Sequence, residues 1–550
     1  MNWYADYEIK RYDEIPMRKD PSDDRKNLLL GVPVYGISCD ASLEEAYFTE
    51  YYNSPVTSTY LTDGKKCEKA HFSDPAFFHF SRGVGRTILF RLDYLSAVDE
   101  IKIGFLRQDD VSVQLPRKVD VRVSADGKVW QRVVKARDLS SDRSPERFEL
   151  SAKLDKIYKT LYVMIDVEVC SHCWIDEIEA FGTEAIPASA VLPAQSDDDN
   201  DGDGIKRVDK YPEYSDFLGV KNLLLAYNCV PPEKVGDHHA GLASVEQYLP
   251  YLAYYDKDGK AADTFFDSFL YLPYSVYTYS KLYKCASGWK YYIDNTFDDE
   301  YNLGALDKAV SLTGEKLGIK DFSAKVFLTV LHTNVSYGEH PDKFGDVDGD
   351  GVDEDMSVLE DRIKAIKWCI DTQIALFKEK NYANLTLDGF YWFEEVINYS
   401  DRLELPSLKF ARDYLHSLGL KIFWIPYFQA RGFQDWKENG FDIACMQPNF
   451  AFRAGIPTER LYQNAELTKT LGMCVEMEIG GLDAEHVERF RKYMDCGAET
   501  GYMKSVKMYY QGGIPGEFYK SYKSDDPLLR STYDDCYLFA KEKYVSRKDR

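Results

Sequence analysis

From residue 221 onwards, short β-like runs alternate with helix-like runs, and that alternation leaves few architectures open. Eight runs carry it: KNLLLAYNC (221–229), FDSFLYLPYS (266–275), KVFLTVLHTN (325–334), LTLDGFYWFEEV (385–396), KIFWIPYF (421–428), FDIACMQPNF (441–450), GMCVEMEIG (472–480) and SVKMYYQGG (505–513). Strands separated by helices pair in parallel, because each must cross back to the same end before the next begins. Eight such units predict a (β/α)8 TIM barrel over 217–550. The clearest helix lies between the third and fourth runs. There Leu359, Ile363, Ile366, Ile370, Ile374 and Phe377 share one face, and Ser357 with Glu360 reads as a capping box. The segments 405–419 and 483–497 supply two more helices.

Residues 30–185 have another rhythm. The runs RTILFRLDYL (86–95), DEIKIGFL (99–106), KVDVRVS (118–124), WQRVVKA (130–136), TLYVMIDVEV (160–169) and IDEIEAFG (175–182) are β-rich, and turn residues separate them. Asp126-Gly127 between two of them is a hairpin signal. The expectation is an antiparallel, jelly-roll-like β-sandwich, preceded by an arm (1–29) and followed by an acidic linker (186–216).

The net charge is −23 and the pI near 4.9, which disfavours nucleic acid and anionic lipid as partners. No run of eighteen apolar residues is present, so no membrane span is expected. The first residues, MNWYADYEIKRYDE, lack the basic start and apolar stretch of a signal peptide. The compartment stays open between the cytoplasm and, if a signal has been removed, the periplasm or the exterior. Among eleven cysteines the only close pair is Cys170 and Cys173, without a second pair to complete a zinc site, so buried thiols are expected. No protein partner can be inferred.

In barrels of this kind the reactive groups stand where the strands end. The run ends offer Asn228, Tyr271, Tyr274, His332, Trp392, Tyr427, Gln447, Asn449 and Tyr509 as substrate-binding candidates. Aromatic residues form 15% of the chain, and this rim is aromatic, amide and carboxylate, which suits an oligo- or polysaccharide that is neutral or weakly charged. A merely structural use of the tyrosines is the alternative. Two glutamate pairs are the sharpest feature: Glu394 and Glu395 end the fourth run, Glu476 and Glu478 the seventh. Glycoside cleavage needs one carboxylic acid at the leaving oxygen and a second carboxylate across the sugar. No cofactor is required by that chemistry. The loop FGDVDGDGVDEDMS (344–357) carries Asp346, Asp348 and Asp350 at the spacing of a structural calcium loop, or equally of a solvated acidic turn. Asp199, Asp201 and Asp203 in the linker repeat that spacing.

Four resemblances follow from these residues. YLTDGKK (60–66), LPRKVDVRVSADGKVW (115–130) and CWIDEIEAFG (173–182) resemble the discoidin type of galactose-binding-like domain, which implies an accessory sandwich that binds a sugar or only packs. Carboxylates ending strands four and seven resemble the retaining barrel glycosidases, which implies Glu395 as acid/base and Glu478 as nucleophile. Asp388–Glu395 also resembles the chitinase-type strand, but Tyr391 and Phe393 replace its two inner aspartates, so the substrate-assisted route is not implied. Finally DGFYWFEE (388–395), IPYF (425–428), MQPNF (446–450), VEMEIG (475–480) and YYQGG (509–513) resemble a bacterial family, domain of unknown function 4855. That family's members look like carbohydrate-active proteins, often with accessory sandwich domains. A retaining glycoside hydrolase is the first reading, and a non-catalytic glycan-binding protein with a degenerate barrel the second.

Overall fold

A computed structural model describes residues 15–39, 59–81, 85–169, 172–195, 207–228, 241–273, 285–331, 343–393 and 395–549. Tyr274, His332, Glu394, the linker aspartates and Cys170 lie outside the described residues. The chain divides into two compact units, the first ending at Ile205 and also taking in Asn398–Glu404.

The first unit is a β-sandwich-like antiparallel sheet. Its path runs Lys26–Asn27, His172–Thr183, Gly85–Arg107, Glu146–Glu168, Lys118–Ser124, Gln131–Arg137. Two of these strands have 23 residues, and the register between them shifts at Arg91/Ser96 and Val98/Glu100. Such irregularities bend a strand. One continuous sheet can thereby wrap a core of Ile88, Phe90, Ile103, Val121, Val163 and Ile165. The expected hairpin is present. Gly127 adopts φ 73°, Asp126 accepts the amides of Lys128 and Val129, and the flanking strands pair.

In the second unit each of the eight runs holds one strand. These are β1 (Asn222–Tyr227), β2 (Ser268–Leu272), β3 (Ala324–Val330), β4 (Leu385–Trp392), β5 (Lys421–Trp424), β6 (Ile443–Met446), β7 (Cys474–Glu478) and β8 (Lys507–Tyr510). All pair in parallel, in order, and β8 closes on β1. The interior is packed: Phe217, Phe327 and Phe423 form a ring triad with centroids 5.2–5.7 Å apart, and Tyr391 sits 5.6 Å from Phe423.

Three expectations are corrected here. Between β5 and β6 the described residues form no α-helix, only a 3-10 turn at Phe433–Asp435, so the strict strand–helix alternation breaks once. Phe428, Phe433, Trp436 and Phe441 are buried along that stretch, so single aromatic side chains do the covering. The long helix spans Leu359–Lys380, but its buried stripe is Arg362, Ala365, Ile366, Cys369, Ile370 and Gln373, leaving Ile363, Ile374 and Phe377 half-buried. Polar residues win inner positions because they satisfy backbone carbonyls: Arg362 donates to Met356 and Gln373 to Thr329. The capping box is absent, since the Ser357 hydroxyl is engaged by Asp355 at 2.7 Å.

Gly389 in β4 shows how tightly the strand that leads to Glu395 is packed. A Cβ there would lie 2.5 Å from the Lys421 carbonyl oxygen of β5. Gly389→Ala should therefore destabilise the barrel by about 1–3 kcal/mol, the usual cost of overpacking. Urea unfolding measures it, and an unchanged midpoint would refute the close approach.

Candidate active site

Pairing register decides which side chains meet inside the barrel. Glu478 pairs with Tyr510, Met508 with Leu223, Leu272 with Tyr227, and Tyr391 with Phe423. Neighbours paired in a parallel sheet point to the same face, and side chains alternate along each strand. One set of alternate residues therefore faces the barrel axis. At the C-terminal end of the strands that set lines a cavity of about 300 Å3: Leu225 and Tyr227, Leu272, Tyr391 and Glu395, Ile425, Gln447 and Asn449, Phe452, Glu476 and Glu478, and Tyr510.

The structure brings three of the four glutamates into this one cavity. Glu476 and Glu478, two apart on β7, are 2% and 1% exposed, and one carboxyl oxygen of each (Oε1) is buried without a hydrogen-bond partner. Glu395 follows β4 and keeps contact with solvent, although protein surrounds its carboxyl closely. The three environments differ. Burial pushes Glu478 up to about 7, opposed by a hydrogen bond from the Tyr493 hydroxyl and by the amides of Asn449 and Phe450, with the charge of Glu395 adding to the rise. Asn449 has φ 52°, a left-handed backbone that asparagine tolerates. Burial also raises Glu395, opposed by a hydrogen bond from Gln447. Glu476 is raised furthest in kind: burial acts first, then the charges of Glu478 and Glu395, and no hydrogen bond opposes them. Desolvation and like charge both favour the neutral acid, whereas donated hydrogen bonds favour the carboxylate. The site thus holds one carboxyl equipped to ionise, one open to solvent and one that burial and its charged neighbours press towards the neutral acid.

Tyr493→Phe tests the first of these assignments. A hydrogen bond to a charged group contributes about 1.5–3 kcal/mol, and one pH unit corresponds to about 1.4 kcal/mol. Losing the hydroxyl should raise the titration midpoint of Glu478 by about one to two units, read by carbon-13 NMR of labelled glutamate. An unmoved midpoint would exclude Tyr493 as its stabiliser.

Of the other candidates, Gln447 and Asn449 line the cavity. Four others are corrected, each by a single position. Tyr271 points into the outer layer, where its hydroxyl meets that of Tyr248 at 2.7 Å, and Leu272 lines the cavity instead. Tyr509 donates to Asn222 and packs on Phe266, leaving the cavity to Tyr510. Trp392 is buried beside the inward Tyr391. Asn228 is buried with its amide on Thr296 at 2.7 Å, and Tyr227 takes the inner place. Tyr427 is half-buried, donates its backbone N–H to the Glu395 backbone carbonyl and does not line the cavity. The aromatic wall is thus Tyr227, Tyr391, Phe452 and Tyr510, none of them among the substrate-binding candidates. Strand parity, counted from Glu476 and Glu478, would have found three of them.

Asp346, Asp348 and Asp350 also come together, with carboxylate oxygens within 4.8 Å of one another, all exposed. Oxygen donors of this kind suit calcium. Yet the Lys364 ammonium already lies 3.0 Å from Asp348, and Asp346 accepts the amides of Gly349, Asp350 and Gly351. Eight cysteines with described side chains are free thiols, six of them buried. No helix among the described residues is long and apolar enough to cross a membrane.

A family model described as domain of unknown function (DUF4855) matches residues 222–538. No curated protein matches the sequence. Among solved structures, the CBM22-1–GH10 modules of Clostridium thermocellum endo-1,4-β-D-xylanase 10B, complexed with xylohexaose, are 10% identical at TM-score 0.29. That match covers 80% of this chain and 87% of that one. The family 32 carbohydrate-binding module of Streptococcus pneumoniae EndoD is 11% identical at TM-score 0.19, covering 28% of this chain and 99% of that one. CpGH89CBM32-5 from Clostridium perfringens, in complex with GalNAc-β-1,3-galactose, is 14% identical at TM-score 0.18, covering 23% and 84%. These similarities are remote.

Proposed function

The chain belongs to the family of domain of unknown function 4855, and because that name carries no reaction, we propose from the cavity's own side chains that it is a retaining glycoside hydrolase on a TIM-type barrel. One observation carries this reading: carboxyl groups from the ends of β4 and β7 open into a single cavity walled by aromatic rings. Glu478, whose carboxylate accepts the Tyr493 hydroxyl and lies near the amides of Asn449 and Phe450, is suited to nucleophilic attack. Glu395, raised by burial yet reached by solvent, is suited to protonate a leaving group and later to deprotonate water.

In the first step Glu395 gives its proton to the glycosidic oxygen as Glu478 attacks the anomeric carbon. The carbon–oxygen bond breaks and the aglycone departs as an alcohol. In the second step ionised Glu395 takes a proton from water, whose oxygen displaces Glu478 and restores both groups. Gln447 positions Glu395, and the rings of Tyr227, Tyr391, Phe452 and Tyr510 supply stacking faces.

The test is hydrolysis of a glycan panel by the wild-type chain, with the anomer first released followed by NMR. Net retention on any glycan supports the reading. Inversion would replace Glu478 as nucleophile by a general base. Binding without turnover on the whole panel would favour the glycan-binding alternative.

A further inference from the structure

The cavity is unusual for a neutral-sugar site in its charge. Three carboxyl groups face it, and no described lysine, arginine or histidine lines it. Arg489, over the Phe450 ring, is committed to the carbonyls of Phe450, Arg453 and Ala454. On the inner side, Oε1 of Glu476 and Oε1 of Glu478 are buried without partners. A buried, unpartnered carboxyl oxygen is costly, and a ligand that brings a donor to it would remove that cost.

A sugar hydroxyl would supply one proton and no charge. An N-acetyl group would supply one N–H and no charge. A carboxylated or sulfated sugar would add a further negative group. An ammonium brings three donors and the opposite charge, and the faces of Tyr227, Tyr391 and Tyr510 around the cavity attract a cation as well.

We propose that the cavity selects a glycan bearing a free amino group, a hexosamine whose ammonium is held by Glu476 and Glu478 among the rings of Tyr227, Tyr391 and Tyr510. The proposal rests on the glycoside-hydrolase reading for its assumption of a sugar, and it supplies a task for Glu476 that the two-carboxylate mechanism leaves open. Ammonium binding favours ionisation of the carboxyls it touches, so complex formation releases protons to the solution.

Binding to the intact chain tests it without requiring turnover. The probes are the methyl glycosides of glucosamine and galactosamine against their N-acetylated and 2-hydroxy counterparts, measured by calorimetry in two buffers of different ionisation enthalpy. At least one amine glycoside should bind about ten-fold tighter than its neutral counterparts, a difference of about 1.4 kcal/mol, with proton release. The preference should fall to less than about three-fold in Glu476→Gln, checked by circular dichroism to be folded. Equal or tighter binding of the neutral glycosides would overturn the proposal and leave the hydrolase reading standing. So would a preference that survives in both Glu476→Gln and Glu478→Gln, since the amine would then be read elsewhere. Absence of binding by every amine glycoside would overturn it as well.

Discussion

Glu395→Gln is expected to lower kcat/KM on an unactivated glycan by about 10²–10⁴-fold, the range that a general acid contributes. The loss should depend on the leaving group. With an aryl glycoside whose phenol leaves without protonation, the first step should proceed almost normally and the glycosyl enzyme should accumulate, because nothing then deprotonates the attacking water. Azide, an anion that needs no deprotonation, should restore turnover and give a glycosyl azide of retained configuration. Glu478→Gln should behave differently: both substrates lose turnover alike and azide restores neither, since the Gln side chain still fills the nucleophile's place. If both variants fail equally on every substrate, the division of roles between β4 and β7 is wrong. If both keep wild-type rates, neither carboxyl is catalytic.

The same residue should reveal itself in stability. Glu478 is 1% exposed and its carboxyl is raised from 4.5 to about 7. A group whose value is higher in the folded chain favours folding most fully below its unfolded value. That contribution disappears as pH climbs through the folded value. For Glu478 the loss accrues between about pH 4.5 and 7 and amounts to about 3 kcal/mol, at about 1.4 kcal/mol per unit. A glutamine carries no such penalty. Glu478→Gln should therefore unfold at higher urea than the wild type at pH 8, by about 3 kcal/mol, with the difference shrinking towards zero by pH 4. Glu476→Gln should change in the same direction, because its carboxyl is raised by the same burial and by its two charged neighbours. Inactive variants that gain stability at alkaline pH are what a site strained for chemistry produces. A Glu478→Gln chain less stable than the wild type at pH 8 would contradict the assigned environment.

Much of this was visible in the sequence, and the misses share one cause. Runs of apolar residues at 221–229 through 505–513 located all eight barrel strands, because a buried parallel strand has to be apolar on both faces. That same continuity hides which face is which. Tyr271, Trp392, Tyr509 and Asn228 each stand one residue from the side chain that reaches the cavity, and one step along a strand turns a side chain to the opposite face. Glu476 and Glu478 escaped the ambiguity, since two carboxyls spaced by two on an otherwise apolar strand must share a side. The helix over 359–380 was misread for the converse reason: Arg362 and Gln373 look like surface residues until the carbonyls they serve are seen. Long-range needs of that kind leave no periodic trace.

The crossing from β5 to β6 also bears on how such a site changes over generations. Where a helix covers a barrel strand, adding one residue turns its apolar face by about 100° and unpacks it, so length changes come in steps of a whole turn or not at all. Phe428, Phe433, Trp436 and Phe441 cover this crossing one at a time. A gained or lost residue between two of them is a local matter that leaves barrel closure alone. Gln447 leans on the start of this stretch through the Ile425 carbonyl, and Glu395 accepts the Tyr427 amide. A change of length in this stretch would therefore reach the acid through its backbone and through Gln447 before it disturbed the wall.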